Sequence, residues 1–197
     1  MRITVTLKDV IFVLVMFIVI FGLYRIFKDK EPITNETFAQ LLSTAGYETL
    51  DMGDVSGDWW LFLQEYYNDK NPKILNYDIG LDVVDSYYIA KKSSSESEIA
   101  YKIYKSDEEA ERSFARYKDS RKFKTSNLEV EKYYRAGHHE KNRTGKNYEM
   151  FYTEDIESDF FLVSRINNTL LIAFVEGAES ENLNKVFNKS GYGIYSY

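Results

Sequence analysis

The sequence predicts an α+β chain: an N-terminal transmembrane helix, then an antiparallel sheet of five to six strands with at least three packed helices. Three observations carry this expectation. Val10–Tyr24 is 15 residues long and holds no charged side chain. Beyond it, apolar stripes of helical period alternate with short β-like runs bounded by turn residues. Aromatic residues make up 16% of the chain, with 17 Tyr and 13 Phe, too many for a disordered tail.

Residues 1–9 read as a short tail. Read as Val10–Phe27, the apolar segment is about 27 Å long at 1.5 Å per residue, close to a bilayer's hydrocarbon core. Arg25 falls near its end, where it can snorkel, and Tyr24 suits an interface. No small-residue cleavage pattern follows, so residues 10–27 are expected to be an uncleaved signal anchor, with the lipid bilayer as partner. The flanking charges, Arg2 and Lys8 against Arg25, Lys28 and Lys30, barely set orientation. The short tail favours a single-pass cell-membrane protein with residues 31–197 outside. The absence of Cys excludes a disulfide-stapled scaffold and a lipidated cysteine.

Residues 31–197 are expected to form one domain. They hold 20 Lys and Arg against 29 Asp and Glu. Such a surface argues against nucleic acid as a partner.

Within the domain, Ile33–Gly46 predicts a helix. Thr34 suits the N-cap, Ile33 and Phe38 a hydrophobic staple, and Gly46 the left-handed C′ position. Tyr47–Met52 reads as a strand, and residues 53–85 as an aromatic-rich insertion. Ser86–Lys92 and Glu98–Tyr104 read as a hairpin around Ser93–Ser97, with Lys102 on a wet face. Ser106 opens a capping box for a helix that buries Ala110, Phe114 and Tyr117. Asn147–Thr153 and Asp159–Ile166 read as strands. Asn167-Asn168 predicts a type I′ turn into Thr169–Glu176, whose continuous apolar run predicts a central strand. A last helix carries Leu183, Val186 and Phe187 and stops at Gly191. Phe38–Tyr47 and Leu183–Tyr192 share their apolar and Gly spacing. The plainer account is two helices with similar ends; the other is an internal duplication.

The stretches ITNETFAQLLSTAGYETLD, SYYIAKK, SEIAYKIYKSDEEAERSFARYKD, KNYEMFYTEDIESDFFLVSRINNTLLIAFVE and LNKVFNKSGY occur in that order. Over residues 33–192 the chain resembles an uncharacterised group of Gram-positive (Firmicutes) lipoproteins and membrane-anchored extracytoplasmic proteins. Val163–Thr169 (VSRINNT) is the most specific wording. The resemblance implies an extracytoplasmic domain on a bacterial membrane and transfers no catalytic residue. This chain departs from it by lacking a lipidated Cys and by carrying extra sequence between Met52 and Ser86.

Chemistry-bearing motifs are few. No G-x-S-x-G, P-loop or H-E-x-x-H pattern occurs, and no cofactor or metal is implied. His138-His139 would point to opposite sides of a strand and cannot readily share a metal. Sequons begin at Asn35, Asn142, Asn167 and Asn188, where about one or two would arise by chance, and Asn167 falls in a tight turn. Two surfaces stand out. Trp59, Trp60, Phe62, Tyr66 and Tyr67 form a candidate partner surface, with burial against the sheet as the equal alternative. Arg135, His138, His139, Lys141, Arg143 and Lys146 form a candidate basic loop for an acidic partner or envelope polymer, with a plain solvated loop as the favoured alternative. The functional expectation is non-enzymatic binding of a protein or cell-envelope component by a membrane-tethered domain. Its rivals are a cell-envelope hydrolase using paired carboxylates and a cytoplasmic-facing regulatory protein.

Overall fold

The computed structural model describes residues 7–27, 29–51, 84–124, 139–155 and 157–195. Among the described residues four helices and seven strands run in the order α1 (Leu7–Phe27), α2 (Asn35–Ser43), β1 (Glu48–Asp51), β2 (Val84–Lys91), β3 (Glu98–Tyr104), α3 (Asp107–Lys124), β4 (His139–Thr144), β5 (Tyr148–Glu154), β6 (Phe160–Ile166), β7 (Thr169–Val175) and α4 (Gly177–Lys189). The strands form one sheet in the order β1-β2-β3-β7-β6-β5-β4, every neighbour antiparallel.

Among the described residues the sheet has seven strands, which corrects the expected five to six. The unforeseen strand is β4, HEKNRT, which holds no apolar residue and so no hydrophobic alternation. A strand at a sheet edge can be polar on both faces because the backbone ladder, not side-chain burial, holds it.

The N-terminal segment corrects the expectation further. Among the described residues no helix is long and apolar enough to cross a membrane. The charge-free stretch Val10–Tyr24 of α1 spans about 22 Å at 1.5 Å per residue, short of a hydrocarbon core of about 30 Å. The signal anchor at residues 10–27, the single-pass membrane localisation and the outward orientation built on them are not retained. The large apolar side chains of this stretch are exposed.

Helices cover both faces of the sheet. On one face α2 and α4 bring Phe38, Leu42, Leu183 and Phe187 onto Tyr101, Leu162, Leu171 and Ala173. On the other, α3 brings Ala110, Phe114 and Tyr117 onto Ala100, Val163, Leu170 and Ile172. The central strands are therefore buried on both faces, and this overturns the wet face expected for β3. Lys102 is 0% exposed. Its Nζ donates to the Tyr117 hydroxyl at 3.2 Å and lies 4.4 Å from the Tyr87 ring centroid. That hydroxyl and the aromatic π-faces replace part of the water a lysine head group loses on burial.

Local signals explain the ends of the elements. The Thr34 hydroxyl accepts from the Thr37 N–H at 3.2 Å. Ser106 caps α3 by accepting from the Glu109 N–H at 3.3 Å, while the Glu109 carboxylate pairs with Arg112 rather than closing the box. In the Asn167-Asn168 turn only Asn167 has positive φ, at 50°. Type I′ needs positive φ at both central residues, so the turn departs from that expectation. The echo between Phe38–Tyr47 and Leu183–Tyr192 has a local cause. Gly46 and Gly191 have φ of 81° and 89°. Tyr47 N–H donates back to Leu42 O, and Tyr192 N–H to Phe187 O, both at 3.1 Å. Both helices end in the same glycine-based cap.

Candidate functional site: a basic corner at the sheet edge

Strand pairing places Lys141 opposite Tyr152 and Arg143 opposite Met150. Directly opposed residues share a face, so Lys141 and Arg143 lie on the face covered by α2 and α4. Glu140, Asn142 and Thr144 lie on the α3 face. The expected basic loop is thus, from residue 139 to 144, a strand that sorts its charges. Lys146 lies beyond it in the β4–β5 turn and pairs with Asp29 at 2.9 Å. Both partners are mostly exposed, so the pair adds little to stability.

The chain joining α1 to α2 crosses this corner. Lys30 N–H donates to Asn147 Oδ1 at 3.0 Å, and Asn147 Nδ2 donates to Lys30 O at 2.7 Å. The side-chain amide thereby imitates one step of a β-ladder. Asn147 Nδ2 also donates to Asn167 Oδ1 at 2.8 Å, which ties the segment to the β6–β7 turn. Lys30 Nζ donates to Gly191 O at 2.9 Å and lies 4.1 Å from the Tyr148 ring centroid. Burial first, and the charge of Arg143 second, push the Lys30 ammonium down to about 8. Lys30 therefore carries its charge with difficulty, beside a second cation.

The C-terminal residues complete the corner. Tyr195 N–H donates to Asn188 Oδ1 at 2.7 Å, which holds the ring beside β4. Lys141 Nζ donates to the Tyr195 hydroxyl at 3.1 Å and sits 4.8 Å from the ring centroid. Beneath, the Tyr152 hydroxyl is pushed above its usual range by burial, then by the charge of Glu154.

A buried hydroxyl chain stands behind the corner. Tyr101 OH donates to Ile33 O at 2.7 Å, and Thr169 Oγ1 to Ile166 O at 2.6 Å. Tyr192 OH lies between them, 3.2 Å from Tyr101 OH and 2.5 Å from Thr169 Oγ1. Burial raises both tyrosines, Tyr192 well above the usual range. Neutral hydroxyls in such a chain brace the fold and leave no ionised group for chemistry.

Of the residues singled out in the sequence, Lys141 and Arg143 share one side of the corner, and Lys146 flanks it. His139 contributes its backbone to β4. Arg135 and His138, and all of Trp59, Trp60, Phe62, Tyr66 and Tyr67, lie outside the described residues. Sequence reasoning missed Lys30, Tyr148 and Tyr195. Lys30 was absorbed into the flank of the apolar segment, and no local pattern links residues 117 positions apart. Among the described residues no group of three or more His, Cys, Asp or Glu could hold a metal ion. Comparison with known protein families, with curated proteins and with solved structures finds no match to this chain.

Proposed function

We propose that the chain is a non-enzymatic binding domain and that its basic corner receives an acidic segment of a partner protein. The observation that supports this reading is the convergence of Lys30, Lys141 and Arg143 on one side of a sheet edge, in a domain that is otherwise acidic. Arg143 disfavours the charge on Lys30, and a bound carboxylate relieves that repulsion.

The test is titration of the full chain with a short fluorescent oligoglutamate, alongside an oligolysine control. Binding is expected for the first and not the second, and to weaken as salt shortens the screening length from ~10 Å towards ~3 Å. Reversing both charges, Lys141→Glu with Arg143→Glu, should abolish it while the circular dichroism spectrum holds. Equal binding by the reversed variant would overturn the assignment.

A further inference from the structure

We infer that β4 is a docking edge for an extended acidic segment, which adds to the sheet as an antiparallel eighth strand with acids at alternate positions. This rests on the reading of the basic corner and adds the geometry of recognition. Among the described residues β4 is one of the two outermost strands of the sheet, β1 being the other.

The hydrogen-bond phase of the edge follows from its hairpin. Gly145 N–H donates to Tyr148 O at 2.8 Å, so residues 145 and 148 form a hydrogen-bonded pair. Antiparallel alternation then makes Arg143 with Met150, and Lys141 with Tyr152, hydrogen-bonded pairs too. Their backbone groups are used on β5. The N–H and C=O groups of Glu140, Asn142 and Thr144 point the other way, towards the outer edge. A strand added there exchanges backbone hydrogen bonds with these three residues. Its residues opposite Lys141 and Arg143 fall in the non-hydrogen-bonded pairs, where Cα atoms approach to ~4.5 Å and side chains are closest.

Charge selects the occupant. The two cations are two residues apart on one face, so they call for two acids with one residue between. On the other face Glu140, which accepts from Asn142 Nδ2 at 2.7 Å, disfavours an acid at the flanking position. The recognised pattern is therefore x-acid-x-acid-x with uncharged x. A second copy of β4 fits badly. A continuous sheet must match faces across the new pair, and the registers with most overlap put Lys141 opposite itself or opposite Arg143. Like charges directly opposed are destabilising, so the same residues that invite an acidic strand guard against edge-to-edge self-association.

The experiment uses the full chain and three versions of one capped peptide, Thr-Asp-Thr-Asp-Thr. One is unmodified, one is N-methylated on the Thr amides, and one is N-methylated on the Asp amides. Opposite this edge the Thr amides face β4 and the Asp amides face away. The unmodified and Asp-methylated peptides are expected to bind and to slow amide exchange at Glu140, Asn142 and Thr144. The Thr-methylated peptide should lose at least about tenfold in affinity, the scale of one to two lost hydrogen bonds. Equal binding of all three would overturn strand addition and leave the basic-corner reading standing. If none binds, and oligoglutamate does not either, both fail. Slow exchange at those amides in the peptide-free chain, or concentration-dependent dimerisation through β4, would show the edge already occupied and overturn the proposal. The variant Asn142→Pro removes an outward N–H and spares the β5 ladder, so it should fold and lose peptide binding. If it fails to fold, the N-methyl pair still decides the question.

Discussion

Strands β7 and β4 belong to one sheet and share its antiparallel geometry, yet they have almost no side-chain chemistry in common. All seven residues of β7 are buried. Leu171, Ala173 and Val175 meet α2 and α4, while Leu170, Ile172 and Phe174 meet α3. β4 has no apolar side chain, and Glu140, Asn142 and Thr144 are exposed. Backbone pairing makes both of them strands. Side-chain content records only where in the sheet each lies: β7 is covered above, below and on both edges, and β4 is paired to β5 alone among the described residues. A strand of the first kind carries stability, and one of the second kind is the edge proposed above to receive a partner strand.

The largest way to break this contrast is truncation at the centre. Ile172→Ala should destabilise by about 2–5 kcal/mol through lost burial and a residual cavity, lowering the thermal midpoint by roughly 2–4 °C per kcal/mol for a chain of this size. Asn142→Ala at the edge should stay within about 0.5 kcal/mol. Comparable losses in the two variants, measured by urea denaturation, would mean that β4 is as deeply built into the core as β7.

The same contrast decides what could be read from the sequence. Leu170–Val175 announced a central strand because a continuous apolar run has few other stable places. The helices at Phe38, Phe114 and Phe187 were legible from their period, and two of them from their glycine stops. β4 was not legible, because HEKNRT has the composition of a loop and only its partner β5 makes it a strand. Lys102 was misassigned for a related reason. A lysine in an alternating strand implies water, and nothing local shows that α3 supplies Tyr117 to cover it. Half of the candidate site was visible as charge, in Lys141, Arg143 and Lys146. Lys30 and Tyr195 were not, because their places depend on Asn147, Gly191 and Asn188, which are distant in sequence or chemically unremarkable.

Two smaller effects sharpen the comparison at the connections between the regions. Asn167→Val places a β-branched residue at φ of 50° and removes the acceptor of the Asn147 amide. It should cost about 1–3 kcal/mol, and Asn167→Gly distinctly less because glycine adopts that φ freely. Equal losses in the two melting curves would locate the effect in the lost hydrogen bond rather than in the backbone. Tyr192→Phe should cost about 1 kcal/mol by removing one hydroxyl from the chain that links Tyr101 to Thr169. No measurable change would show that Tyr101 and Thr169 are satisfied by their backbone acceptors alone.

The smallest expected effect is a pH dependence at the corner, and its sign is fixed. Burial, and Arg143 after it, lower Lys30 from an ordinary 10.5 to about 8 in the folded chain. Between those values the unfolded chain binds more protons at this residue than the folded chain does. Stability from Lys30 therefore rises with pH across the window from about 8 to about 10.5, because the cost of holding the charge in the folded state is relieved as the proton leaves. The residue is partly exposed, so solvent screening keeps the effect well below the full linkage value. Comparing the full chain with Lys30→Gln at both ends of the window isolates it: the parent should gain stability relative to the variant as pH rises. Acidic-peptide affinity should move the opposite way, falling as pH passes about 8 and Lys30 loses its charge. Replacing Arg143 by Gln should shift that fall to higher pH by removing the second of the two causes. A parent that loses stability relative to Lys30→Gln on the same path would mean that this ammonium is stabilised in the fold by an acidic neighbour. The corner would then already be neutralised before any partner arrives.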